Sequence, residues 1–275
     1  MKNILYLFLL LLISCSKVEK PQSNQKPLVA VSIPSYLFFV EKIAENTVEV
    51  KNLIPAGADP HHFEPTPQHL DLAIKASLWF RSAEHFEKEF LNLILPYNQN
   101  LQVCDLTENI PLIEEDLHLW LSPKIAILQA EKIASVLEKN FPKNKQLYQK
   151  NLKNLIKEIH KTDLEIQTKL KSAKNRTILV SHKAFSYFCA DYGLKQISIE
   201  NGNQEPNLKT IYHIFNEAKK DKVKKVFIQA QADNKGALLI AKELNVSPFM
   251  VDPYSADYLK NLKKIADIIA DNNQE

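Results

Sequence analysis

Short runs of β-branched and aromatic residues alternate with helix-length amphipathic stretches along most of this chain. One set comprises Leu28 to Ile33, Val48 to Leu53, Ser77 to Arg81 and Leu101 to Cys104. A second comprises Thr177 to Val180, Gln196 to Ile199, Lys225 to Ile228 and Phe249 to Val251. Apolar runs of this length, each trailed by a helical pattern, predict parallel strands, because a parallel pair needs a long crossover and a helix supplies it. The expected fold class is therefore α/β, with two lobes of parallel β-sheet flanked by helices. Between the two sets, Leu147, Leu152, Leu155, Ile159, Leu164, Ile166 and Leu170 recur at near-helical spacing, with no Gly or Pro after Pro142. Proline's fixed φ suits the first turn of a helix. One long, rigid connecting helix is predicted from Pro142 to about Lys171, a rod of about 45 Å at about 1.5 Å per residue.

The first residues follow a different pattern. Met1-Lys2-Asn3 carries a positive charge, and Ile4 through Ile13 are apolar apart from the Tyr6 hydroxyl. That is the layout of a secretory leader, and the run covers only about half of a bilayer core of about 30 Å. It ends in Leu12-Ile13-Ser14-Cys15, which resembles the bacterial lipobox, so Cys15 is expected to become the acylated N-terminus after cleavage. Several acyl chains on one residue anchor firmly, at about 0.8 kcal/mol per buried methylene. Ser16 to Pro27 is polar with two prolines and reads as a tether.

Composition removes whole classes of function. The chain has 275 residues, enough to bury a sizeable core, with 45% hydrophobic and 24% charged residues. The net charge of +3 is close to balanced, and the lysines around Lys219 to Lys225 are interrupted by Asp221 without interleaved aromatics, so nucleic acid is not an expected partner. The four glycines, Gly57, Gly193, Gly202 and Gly236, lie too far apart to build a phosphate-cradling loop, which argues against a nucleotide-dependent enzyme. Cys104 and Cys189 sit in separate halves with no CxxC spacing and are expected as free thiols.

Four segments carry the candidate chemistry, each expected in a loop leaving the carboxyl end of a strand, where open α/β sheets bind ligands. They are Gly57-Ala58-Asp59-Pro60-His61-His62-Phe63-Glu64-Pro65, Asp116-Leu117-His118-Leu119-Trp120-Leu121, Ser181-His182-Lys183-Ala184-Phe185 and Val251-Asp252-Pro253-Tyr254. Each holds a potential metal ligand, though a lone histidine or an Asp-Pro turn also has ordinary structural uses.

Taken in order, these segments resemble the ligand motifs of the metal-binding lipoproteins of ABC-type zinc and manganese importers. The likeness spans nearly all of the chain after its leader. It includes Gly57 to Pro65 with its Pro-His and following aromatic, His118-x-Trp120-Leu121, Ser181-His182-x-Ala184-Phe185 running on to Tyr192-Gly193, and Glu205-Pro206. The resemblance implies His61, His118 and His182 as imidazole ligands and Asp252 as the carboxylate. It also implies zinc rather than manganese, because manganese-type relatives carry a glutamate where His182 stands, and an imidazole-rich set suits zinc better. A tetrahedral site would have bonds of about 2.0 to 2.2 Å.

On this basis the expected organisation is a signal peptide over 1–14, a lipidated tether over 15–27, an N-terminal metal-binding lobe over 28–141, a connecting helix over 142–172 and a C-terminal metal-binding lobe over 173–275. The expected function is an extracytoplasmic, lipid-anchored monomer that delivers zinc to an importer's permease and its cytoplasmic ATPase, without catalysing a reaction. The rival readings are a zinc hydrolase, with Glu64 or Glu205 as base, a manganese or iron receptor, and an adhesin-type lipoprotein. His62, next to His61, is a candidate transient metal contact and His85 a candidate rim residue, while His69, His160 and His213 read as histidines on solvated helix faces. The chain also departs from the family pattern. The histidine-rich loop of many zinc members is missing, Leu117 stands for a common proline, and Ser122 stands for a frequent acid or amide.

Overall fold

The computed structural model describes residues 25–200 and 207–271. The leader, most of the tether with Cys15, and Glu205 lie outside the described residues.

The first half runs β1 (Leu28–Val31), α1 (Pro34–Ala44), β2 (Glu49–Asn52), α2 (Pro67–Lys75), β3 (Leu78–Arg81), α3 (Phe86–Ile94) and β4 (Gln102–Asp105). Two helices follow, α4 (Pro123–Asn140) and α5 (Lys145–Lys171). The second half repeats the alternation as β5 (Thr177–Val180), α6 (Ser186–Tyr192), β6 (Lys195–Ser198), α7 (Leu208–Lys220), β7 (Lys225–Gln229), α8 (Lys235–Glu243), β8 (Pro248–Val251) and α9 (Tyr258–Ala270). All eight predicted strands are present, with ends shifted by no more than two residues.

Both sheets are wholly parallel, in the orders β2-β1-β3-β4 and β6-β5-β7-β8. Helices cover both faces of such a sheet, so the inner strands read as near-continuous apolar runs, as in Leu28-Val29-Ala30-Val31 and Thr177-Ile178-Leu179-Val180. The edge strand β2 instead alternates exposed and half-buried residues. In each sheet the winding direction reverses beside the first strand, and the carboxyl edge at such a point is where α/β folds form a crevice.

The long helix begins one turn later than its proline. Pro142–Asn144 forms a 3₁₀ turn, and the α-helix runs from Lys145. Its buried stripe is Tyr148, Asn151, Leu155, Ile159, Thr162, Ile166 and Leu170, at three- and four-residue spacing. Two of its polar members have partners: Asn151 Nδ2 donates to the Ile43 carbonyl at 3.1 Å, and the Tyr148 and Thr47 hydroxyls are 2.8 Å apart. Leu164, counted in the predicted stripe, is 63% exposed.

Helix α5 packs against α1 and α4 of the first half and against α9 of the second. One apolar core runs through both halves and includes Phe39, Trp120, Ile159, Phe185 and Tyr258. The Phe39 and Tyr258 rings lie 4.8 Å apart between centroids, the Tyr258 hydroxyl donates to the Trp120 carbonyl at 2.6 Å, and Trp120 Nε1 donates to the Pro253 carbonyl at 2.8 Å. The halves are therefore joined by packed side chains as well as by the helix. Cys104 and Cys189 are buried free thiols, as expected. No helix among the described residues is long and apolar enough to cross a membrane.

Candidate metal centre

Three loops leaving strand ends bring three imidazoles together. His61 sits in a 3₁₀ turn, Pro60–His62, beyond β2; Asp59 caps that turn, its Oδ1 accepting from the His61 backbone at 2.9 Å. His118 follows β4 and stands just before the 3₁₀ turn Leu119–Leu121, with its backbone N–H on Asp116 Oδ1 at 2.9 Å. His182 lies just past β5, where its carbonyl accepts from Gln229 Nε2 at 2.9 Å. One ring nitrogen from each of His61, His118 and His182 falls within 4.8 Å of the others. Ring centroids are 4.7 Å apart for His61 and His182, 5.5 Å for His118 and His182, and 5.7 Å for His61 and His118.

Each imidazole also has a carboxylate on its Nδ1 side. Asp116 Oδ1 lies 2.8 Å from His118 Nδ1, Glu200 Oε2 lies 3.1 Å from His182 Nδ1, and Glu84 Oε2 lies 3.3 Å from His61 Nδ1. An acid at Nδ1 draws the ring proton to that nitrogen, fixes the ring's orientation and leaves the Nε2 lone pair for a cation. Glu84 and Asp116 have side chains with no solvent exposure.

Burial and charge then act differently on the rings. Burial lowers the pKa of His118, and the neighbouring His182 and His61 add to this, outweighing the pull of Asp116. Burial also opposes a charge on His61, but the Glu84 carboxylate beside its Nδ1, with Asp59 and Asp116 adding, raises its pKa. Burial by itself would raise Asp116. Its His118 partner and the N–H donors of His118 and Ser186 outweigh that and hold the carboxyl below its ordinary range. His118 is thus a neutral ligand-type imidazole near pH 7, beside an ionised acid.

The sequence profile of a family described as the periplasmic zinc-uptake complex component A, ZnuA, matches residues 29–272. The chain belongs to this family. A provisionally named metal-binding protein of Chlamydia trachomatis is 31% identical over 96% of this chain and 98% of its own length. The high-affinity zinc uptake protein ZnuA of Bacillus subtilis is 28% identical over 84% of this chain and 79% of its own. A crystal structure of ZnuA, 33% identical, covers 90% of this chain and 98% of its own with a TM-score of 0.85. Membership in the ZnuA family makes the chain one of the substrate-binding receptors of metal uptake rather than a member of an enzyme family.

The other predicted residues fall into distinct positions around the three histidines. Asp252 follows β8 but is not in the three-nitrogen group; its Oδ1 accepts from Gln231 Nε2 at 2.7 Å and from the Tyr254 backbone at 3.0 Å. His62 is exposed, with Nδ1 2.6 Å from Asp59 Oδ2. His85 and Glu64, also exposed, line an open cleft that has His61 among its walls. His160 and His213 are exposed on helices. His69 is more than a solvated residue: its Nδ1 accepts from the Thr66 backbone at 3.0 Å and completes a capping box at the start of α2. Ser122 caps α4, its Oγ accepting from the Ile125 backbone at 3.2 Å and donating to Asp191 at 2.6 Å.

Sequence reasoning missed Glu84, Glu200 and the Tyr254 hydroxyl. Asp116 could have been found from its Asp-x-His spacing, because that register lets one oxygen reach both the backbone and the ring of His118. Glu84 and Glu200 are supplied by the loops after β3 and β6, whose closeness to the histidines depends on strand order and leaves no local signal.

Proposed function

We propose that this protein is an extracytoplasmic receptor that binds one zinc ion through His61, His118 and His182 and delivers it to an ABC-type importer. The observation that carries this reading is the convergence of three ring nitrogens from both halves of the chain, each ring backed by a carboxylate. Neutral imidazoles in threes are characteristic of zinc, which favours nitrogen and tetrahedral geometry, whereas manganese favours more oxygen. Relatives named for zinc and relatives named manganese-binding PsaA both match this chain, so the donor set supports zinc where the names diverge.

Asp252 is the proposed fourth ligand. Its Oδ1 is engaged by two donors, so Oδ2 is the oxygen it has to offer. Four protein donors would leave no open position for an activated water, which favours carriage over hydrolysis. Cys15 is the proposed lipid anchor, with 1–14 as the removed leader and 15–27 as the tether.

Metal analysis of the purified protein, followed by competition between zinc and manganese in calorimetry, tests the reading. Zinc is expected to displace manganese at equimolar concentration. Preferential retention of manganese would overturn the assignment.

A further inference from the structure

Tyr254 enters the metal centre from the loop after β8. Its ring is buried, 5.1 Å between centroids from His118 and 5.3 Å from Trp120, and its backbone N–H is held on Asp252 Oδ1. The hydroxyl reaches His118 Nε2 at 2.7 Å and lies 3.4 Å from His61 Nε2.

The direction of the shorter bond follows from the other side of the ring. Asp116, whose oxygens already accept from the backbone N–H groups of His118 and Ser186, lies 2.8 Å from His118 Nδ1 and acts as an acceptor there too, so Nδ1 carries the proton and Nε2 presents a lone pair. The Tyr254 hydroxyl therefore donates, and Nε2 accepts. A zinc ion on Nε2 would use that same lone pair, at about 2.0 to 2.1 Å. One lone pair serves one partner at a time, so the hydroxyl and the metal exclude each other at this nitrogen.

We propose that Tyr254 is an affinity-determining residue of the centre, a built-in competitor whose hydroxyl must give up His118 before zinc can take it. The proposal rests on the reading of the three imidazoles as the zinc site. Loading exchanges an O–H···N hydrogen bond for a Zn–N bond, and release runs the exchange backwards, with the phenol recapturing the nitrogen as the ion departs. The competing bond lowers zinc affinity and speeds release, which suits a carrier that must surrender its cargo. Tyr254 keeps its place through ring packing against Trp120, so removing the oxygen alone leaves the wall of the site standing.

The test compares the unaltered protein with Tyr254→Phe, measuring zinc affinity by chelator competition and zinc release by stopped-flow transfer to an excess of chelator. A buried neutral hydrogen bond of typical strength predicts about three- to ten-fold tighter binding for Tyr254→Phe, with slower release. Unchanged affinity would overturn the proposal alone. Weaker binding would also overturn it, because a competitor's removal cannot reduce affinity. Failure of the unaltered, folded protein to take up zinc would remove the receptor reading, and this proposal with it.

Discussion

Glu84 lies with its carboxylate out of solvent and its Oε2 3.3 Å from His61 Nδ1, so an acid buried in the first half of the chain governs how readily one metal-site imidazole takes a proton. The sign follows from the raised pKa of His61. A proton bound by His61 is favoured over the ordinary imidazole, so protons begin to compete with a metal above pH 6.5, the reference value, as pH falls. In the absence of metal, the same pairing stabilises the fold fully below the unfolded-state value, and this contribution is lost as pH rises through the raised folded-state pKa. Glu84→Gln is expected to move the onset of acid-induced metal loss to lower pH. Titrating metal affinity between pH 5 and pH 8 for both proteins checks it, and superimposable curves would refute the coupling.

Asp116 orients His118 through both its ring and its backbone. Asp116→Ala should weaken metal binding by about 10- to 100-fold, the usual effect of losing a carboxylate behind a ligating histidine. Chelator competition measures this, and an effect smaller than three-fold would contradict the role.

His182→Ala removes one of the three converging nitrogens and should reduce zinc affinity by at least about 100-fold, since two imidazoles no longer enclose the ion. His160→Ala, on the exposed side of α5, should leave affinity unchanged. Equal effects in calorimetry would sink the ligand assignment.

The bond from Tyr258 to the Trp120 carbonyl ties α9 to the first half of the chain. Tyr258→Phe should cost about 1 to 2 kcal/mol of stability, because a buried carbonyl loses its donor. Urea denaturation reads this directly.

A core that continues through both halves opposes large rearrangement. Small-angle scattering with and without zinc should therefore give nearly the same radius of gyration. Compaction on the scale of a hinged, clamshell-type receptor would show that the packed joint between the halves opens.

The strands were legible because buried parallel strands must be apolar on both faces, which writes them into the sequence as short dense runs such as Thr177 to Val180. The three histidines stood out through their local motifs, and the structure brings one ring nitrogen of each within 4.8 Å of the others. The buried face of α5 was read only in part, since Tyr148, Asn151 and Thr162 are polar enough to look solvated and are buried because specific partners satisfy them or neighbouring helices cover them. Glu84, Glu200 and the Tyr254 hydroxyl depend on contacts between segments far apart in sequence. Asp252 illustrates the remaining gap: its turn was predictable, while the claim of Gln231 on its Oδ1 was not.

The three ring nitrogens are contributed by loops after β2, β4 and β5, so they are shared between the two sheets. A nascent chain that has built only its first sheet owns two of the three and has no enclosure to offer. On the proposed zinc-receptor reading, cargo capture would be deferred until both sheets are built, and a half-made molecule would not sequester the cation.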